Sequence, residues 1–240
     1  MKKEEIQSHI KPPVAPICEF EATQQGFIDR ISGVLSTRTN YVYDNGYIYN
    51  NNVSRNLLTS LVYNGVIKDT YLSKTTSWGG STPNPPTNGV SPDIMGGKLR
   101  LVFIGHETIN GASVWGNCSH NNTAYRGFNI IANNSGWKYC EYYSSIYNSS
   151  YSQNFTASLN IDYKFMMDFT ETQHRIKIID LNDNVIFDTG VRNNMTPNSS
   201  SRQIALQTSK WDNVRNGIYG KFYLKKFTYW DGNLLSDFLQ

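Results

Sequence analysis

The chain has 240 residues, 13% of them aromatic and 17% charged, with 22 Lys plus Arg against 19 Asp plus Glu for a net charge of +3. That balance suits pleated, half-buried strands, and it holds too much apolar material and too little net charge for an intrinsically disordered chain. The two signs are interspersed, and Lys221, Lys225 and Lys226, the nearest approach to a basic cluster, would not share one face of a strand, which argues against nucleic-acid binding.

At this length one large β-domain over residues 17–240 with a short N-terminal arm over 1–16 is expected. The arm has a charged start followed by Lys11-Pro-Pro-Val-Ala-Pro16, which can neither continue a helix nor join a central strand. It reads either as a disordered leader or as an anchor that orders against a neighbouring subunit through Ile10, Pro12, Pro13, Val14 and Pro16. The first residues lack the uninterrupted apolar core of a signal peptide, and no later run approaches membrane-spanning length. A soluble protein without conventional export or membrane insertion is expected.

Strands then follow in hairpin-like succession. Cys18 to Ala22 opens the series, and Tyr41 to Tyr49 is a hairpin whose Asn45-Gly46 pair fits a type I′ turn between alternating aromatics. Leu57 to Val62, Lys98 to Ile104, Arg126 to Ile131 and Trp137 to Tyr143 are further strands, the second apolar enough for a sheet centre. Phe165 to Phe169, Arg175 to Ile179 and Val185 to Phe187 continue the pattern around a plain turn at Asp180 to Asn184. Near the end, Phe222, Leu224, Phe227 and Tyr229 form a strand with a bulge expected at Lys225-Lys226. Asp231-Gly232 then reverses the chain, and Leu234-Leu235 begins a closing strand. Two long loops are expected, residues 73–92 and residues 105–125, the second carrying His106, Glu107, Trp115, Cys118 and His120. The spacing is that of an all-β, two-sheet antiparallel jelly-roll sandwich.

Candidate chemistry is sparse. Cys18, Cys118 and Cys140 are odd in number and show no ligand spacing; reduced thiols are favoured, with a Cys118–Cys140 pair across a sheet left open. Glu19 and Glu21 share a strand face but lack a third acid, and they read as solvent-facing rather than as the paired carboxylates of a glycosidase. Neither the His106-Glu107 pair nor Asp180 to Val185 matches a metal motif, and no cofactor, metal or catalytic residue is expected. Sugar binding has better support. Trp78 and Trp115 lie in polar loops where a ring can stack on a pyranose face, with His120 beside them, although a Trp also serves to pin a long loop to its sandwich.

The ending Lys221-Phe222-Tyr223, Asp231-Gly232-Asn233-Leu234 and Asp237-Phe238-Leu239 resembles the C-terminal strand pair of concanavalin A-like, laminin-G-type jelly-roll domains of bacteriophage structural proteins. The passage from Phe165 to Phe187 is similar, more generically, to adjacent strands of the larger sheet in such domains. The resemblance covers about a tenth of the chain strongly and another third weakly. It implies a non-catalytic virion component, such as a capsid decoration, head-fibre or tail-associated protein, made in the host cytoplasm. Its implied partners are other virion proteins, further copies of itself in a homo-oligomer, or a surface glycan of the bacterial host. The alternatives are a lectin-like carbohydrate-binding module and, further off, a glycan hydrolase or lyase.

Overall fold

The computed structural model describes residues 14–33, 35–36, 41–50, 60–63, 66–69, 98–108, 113–121, 124–133, 136–142, 151–170, 172–193, 205–206 and 222–240. The first strands are β1 (Cys18–Thr23), β2 (Gly26–Asp29), β3 (Leu35–Ser36), β4 (Tyr41–Asp44), β5 (Tyr47–Asn50), β6 (Ser60–Tyr63) and β7 (Val66–Asp69). The middle of the chain supplies β8 (Lys98–Glu107), β9 (Ser113–Asn121), β10 (Ala124–Asn133), β11 (Gly136–Tyr142) and β12 (Tyr151–Phe155). The last group is β13 (Tyr163–Thr170), β14 (Gln173–Ile179), β15 (Val185–Asp188), β16 (Arg192–Asn193), β17 (Ala205–Leu206) and β18 (Phe222–Asp231).

The larger sheet runs β15-β14-β13-β8-β18-β1-β2-β3, with β5 also joined to β18, β4 to β5 and β16 to β14; the smaller runs β12-β11-β10-β9-β17. All of these pairings are antiparallel. β6 and β7 pair with each other as a separate antiparallel ribbon, and the protein is an all-β sandwich of the two larger antiparallel sheets, with its first and last long strands neighbours in the larger one.

Alternation decides which residues form the core. Along β8, Leu99, Leu101 and Phe103 point inward, while Val102, Ile104 and His106 lie on the outer face. Phe165 and Met167 of β13, Ile176 and Ile178 of β14, and Phe222, Leu224, Phe227 and Tyr229 of β18 add to the same inner layer. From the smaller sheet, Trp137 stacks on Phe165 with centroids 5.8 Å apart, and Phe155 stacks on Phe187 at 4.3 Å, so the two layers interdigitate. Each such buried aromatic contributes about 1.5–3 kcal/mol of transfer free energy.

Several expectations hold in detail. Asn45 and Gly46 have φ of 48° and 87°, as a type I′ turn requires, and join β4 to β5. The register of β18 against β8 shifts between Leu224 and Lys226, which is the expected bulge. Glu19 and Glu21 lie on the outer face of β1, where they pair with Lys226 and Arg30.

Two expectations are corrected. Residues 105–125 are not one loop: β8 runs through Glu107, β9 occupies Ser113–Asn121, and β10 starts at Ala124. The polar, Gly- and Asn-containing β9 is a strand because β10 and β17 flank it, so context outweighs propensity. Nor does the chain close with a strand after Asp231-Gly232. A 3-10 turn over Gly232–Leu234 comes next, capped by the Asp231 carboxylate accepting from Asn233 N–H, and then an irregular tail to Gln240. Cys118 and Cys140 stand on β9 and β11 with β10 between them, opposite Gly127 and Asn129; two strand spacings and a two-residue stagger put their backbones about 12 Å apart, beyond the span of a disulfide.

Candidate functional site

Among the described residues, a concentration of half-exposed aromatic and charged groups lies on the outer face of the larger sheet, at the end where β8, β18 and the β4–β5 hairpin meet. The register explains it. His106 of β8 is opposite Tyr223 of β18, and β5 joins β18 at Ile48–Leu224, which brings Tyr47 and Tyr49 alongside Tyr223. His106 and Tyr223 stack with centroids 5.0 Å apart and planes 8° from parallel, and Tyr49 lies 4.4 Å from Tyr223 on a tilted plane. Tyr47 meets His106 and Tyr223 edge to face, at 4.9 and 6.3 Å.

Asp162, just before β13, ties this group together. Its Oδ2 accepts from Tyr47 Oη at 2.7 Å, and its Oδ1 lies 2.7 Å from His106 Nδ1. Burial pushes the Asp162 carboxyl up, but the bonds from His106 and Tyr47 pull it below the usual carboxylate range. Ionised, it can only accept, so the imidazole carries its proton on Nδ1. Burial and the same carboxylate push the Tyr47 phenol up to about 12, so it stays a donor at neutral pH. Lys225, exposed at the bulge, places Nζ over the Tyr47 ring, 5.8 Å from its centroid. Asp44, exposed, is the cross-strand partner of Tyr47 and shares its face of the hairpin.

Two other polar clusters are structural in character. Between the sheets, the Tyr139 phenol donates to Glu141 Oε1 at 2.8 Å and lies 2.8 Å from His174 Nε2, while Arg192 reaches both Glu141 oxygens at 2.7 and 3.1 Å. With the phenol proton on the carboxylate side, His174 donates from Nε2 to the phenol oxygen. Tyr139 and Glu141 come from β11 and His174 from β14, so this buried network bridges the layers.

At the other end of the outer face, Arg100 makes a two-pronged pair with Asp168 at 2.6 and 2.8 Å. It also holds both carboxylate oxygens of Asp237 at 2.9 Å. Leu239 N–H donates to Asp168, and Arg175 and Lys177 donate to the carbonyls of Leu239 and Gln240. The Asp237-Phe238-Leu239 ending is therefore a latch that fastens the tail across β8, β13 and β14.

Trp78 lies outside the described residues, as do Ile10, Pro12 and Pro13 of the arm. Trp115 and His120 are on strand β9, opposite Ile130 and Tyr125, not in a loop; their side chains are outside the described set. Val14 and Pro16 are half-buried and lead into β1, where Ile17 N–H donates to the Tyr229 carbonyl at 2.8 Å. Among the described residues, no three His, Cys, Asp or Glu side chains gather as a metal ion would need. The outer-face cluster is hidden in the sequence because its members are scattered from Tyr47 to Tyr223 and meet only through strand register. The one local signal is the run of tyrosines around Asn45-Gly46.

No protein-family model matches this chain, and no curated protein does. Among solved structures, it is similar to a Trypanosoma rangeli sialidase at 9% identity and a TM-score of 0.44, over 91% of this chain and 31% of that one. A botulinum neurotoxin type C structure gives 11% identity and 0.40, over 90% and 48%. The GH43 protein BlXynB of Bacillus licheniformis gives 7% and 0.39, over 79% and 34%. The chain spans less than half the length of each. None is close enough to lend it an activity. Strand order and packing define the class of this protein as a two-sheet antiparallel β-sandwich of jelly-roll form.

Proposed function

We propose that this chain is a non-catalytic binding module of a bacteriophage particle, a capsid-decoration, head-fibre or tail-associated component. The observation that carries the binding role is the ledge of Tyr47, Tyr49, Tyr223 and His106 on the outer face of the larger sheet. These are half-exposed amphipathic rings: Asp162 fixes Tyr47 and His106, Tyr223 stacks on His106, and Tyr49 lies against Tyr223. Rings fixed before a partner arrives lose little conformational freedom on binding, and Tyr offers apolar area together with a hydroxyl.

The particle setting is supported by the resemblance of residues 221–239 to the endings of phage jelly-roll domains and by the proline-bearing segment before β1. In this reading residues 1–16 anchor the chain on a neighbouring virion protein and the sandwich presents its outer face. The test is to assemble particles with a chain lacking residues 1–16. Loss of a still-folded sandwich from the particles is the expected result, and undiminished incorporation would reject the arm as the anchor. A lectin-like role outside any particle is the second reading, favoured by the same tyrosine ledge.

A further inference from the structure

We infer that the Tyr47 ring, flanked by Asp44 and Lys225, is a binding site for a neutral pyranose unit of a glycan; this rests on the reading of the chain as a binding module and names the ligand of its outer face. A pyranose presents an apolar C–H face and a rim of hydroxyls, so a receptor for it needs an aromatic plate with a hydrogen-bond acceptor and donor at its edge. Tyr47 supplies the plate. It is fixed by its 2.7 Å bond to Asp162 and by edge contacts with His106 and Tyr223, so the ring is oriented before ligand arrives. Asp44 supplies the acceptor, as the cross-strand neighbour of Tyr47 on the same face of a hairpin closed by a tight two-residue turn. Lys225 supplies the donor from the bulge of β18: its Nζ lies over the ring, 5.8 Å from the centroid, on an exposed side chain, and a stacking sugar displaces it from the plate to a hydroxyl at the rim.

The charges select a neutral sugar over an acidic one. One carboxylate and one ammonium flank the ring, so an anionic sugar gains from Lys225 and loses to Asp44. A cation would meet the converse. Hydroxyls, which donate and accept, satisfy both groups at once.

The experiment titrates the full chain, isotopically labelled, with the methyl glycosides of glucose, galactose and N-acetylglucosamine, and with lactose against sialyllactose, followed by NMR. Binding of at least one neutral sugar is expected, with shifts confined to residues 43–49 and 222–226. Because Tyr47→Ala removes the Asp162 hydrogen bond along with the ring, Lys225→Ala and Asp44→Ala, which withdraw the donor and the acceptor outright, carry the test. Each weakens binding about tenfold with an unchanged melting temperature. The inference is overturned if no neutral sugar binds at millimolar concentration, if both variants bind like the parent, or if sialyllactose binds more tightly than lactose. Presence of the chain in purified particles is measured separately, so a particle component that binds no sugar sinks this inference alone.

Discussion

Arg100 makes five hydrogen bonds to Asp168 and Asp237 from a nearly buried guanidinium, and Asp168 has no exposure to water. Removing one partner of a buried pair leaves an uncompensated charge. Arg100→Ala is therefore expected to cost about 3–5 kcal/mol in urea unfolding, and Arg100→Lys most of that, since an ammonium cannot reproduce the fork. Glu141 makes a prediction about pH. Burial pushes its carboxyl up, but the bonds from Arg192 and Tyr139 carry it below the ordinary glutamate range. A depressed folded pKa stabilises the fold above the unfolded value, about 4.3, and that contribution is lost as pH falls through the folded value. The stability gap between the parent and Glu141→Gln should accordingly narrow from pH 6 to pH 3. A constant gap would contradict the assignment.

At the scale of elements, the C-terminal tail makes its own prediction. A Cβ on Gly232 would come within 2.3 Å of the Phe238 ring and 2.8 Å of Lys98 Cβ, so Gly232→Ala must lift the tail. A loss of about 1–3 kcal/mol is expected, with faster amide exchange at Leu239, whose N–H is bonded to Asp168. Unchanged exchange there would show that the latch does not depend on the turn. The same segment shows how far local pattern reaches. Asp231-Gly232 marks the reversal because turn chemistry is local, and the same holds for Asn45-Gly46 and the Lys225-Lys226 bulge. The tail beyond the reversal has the apolar pattern of a strand without being one, since its partners, Arg100, Asp168, Arg175 and Lys177, lie more than 60 residues upstream and hold it by side chains instead of a ladder. The converse applies to β9. Ser113–Asn121 carries little β-propensity, and only pairing with β10 and β17 makes it a strand. The tyrosine ledge depends on the order β8-β18-β5, which no local pattern encodes.

For the whole molecule, the two sheets are joined by the aromatic core and by a polar crossing, Tyr139 with Glu141, His174 and Arg192. Tyr139→Phe keeps the ring against Phe187 but withdraws a hydroxyl shared by two buried groups, and about 1–3 kcal/mol of stability should be lost. In the proposed reading, the sandwich, fastened at its end by the tail latch, presents the aromatic ledge of its outer face to a partner. The most direct measurement is mass spectrometry of gradient-purified particles from the source, paired with antibody labelling under the electron microscope. The account predicts the chain in the particles at a stoichiometry set by particle symmetry, with label at a fixed position on the capsid or tail. Absence of the chain from particles that contain all other structural proteins would contradict it.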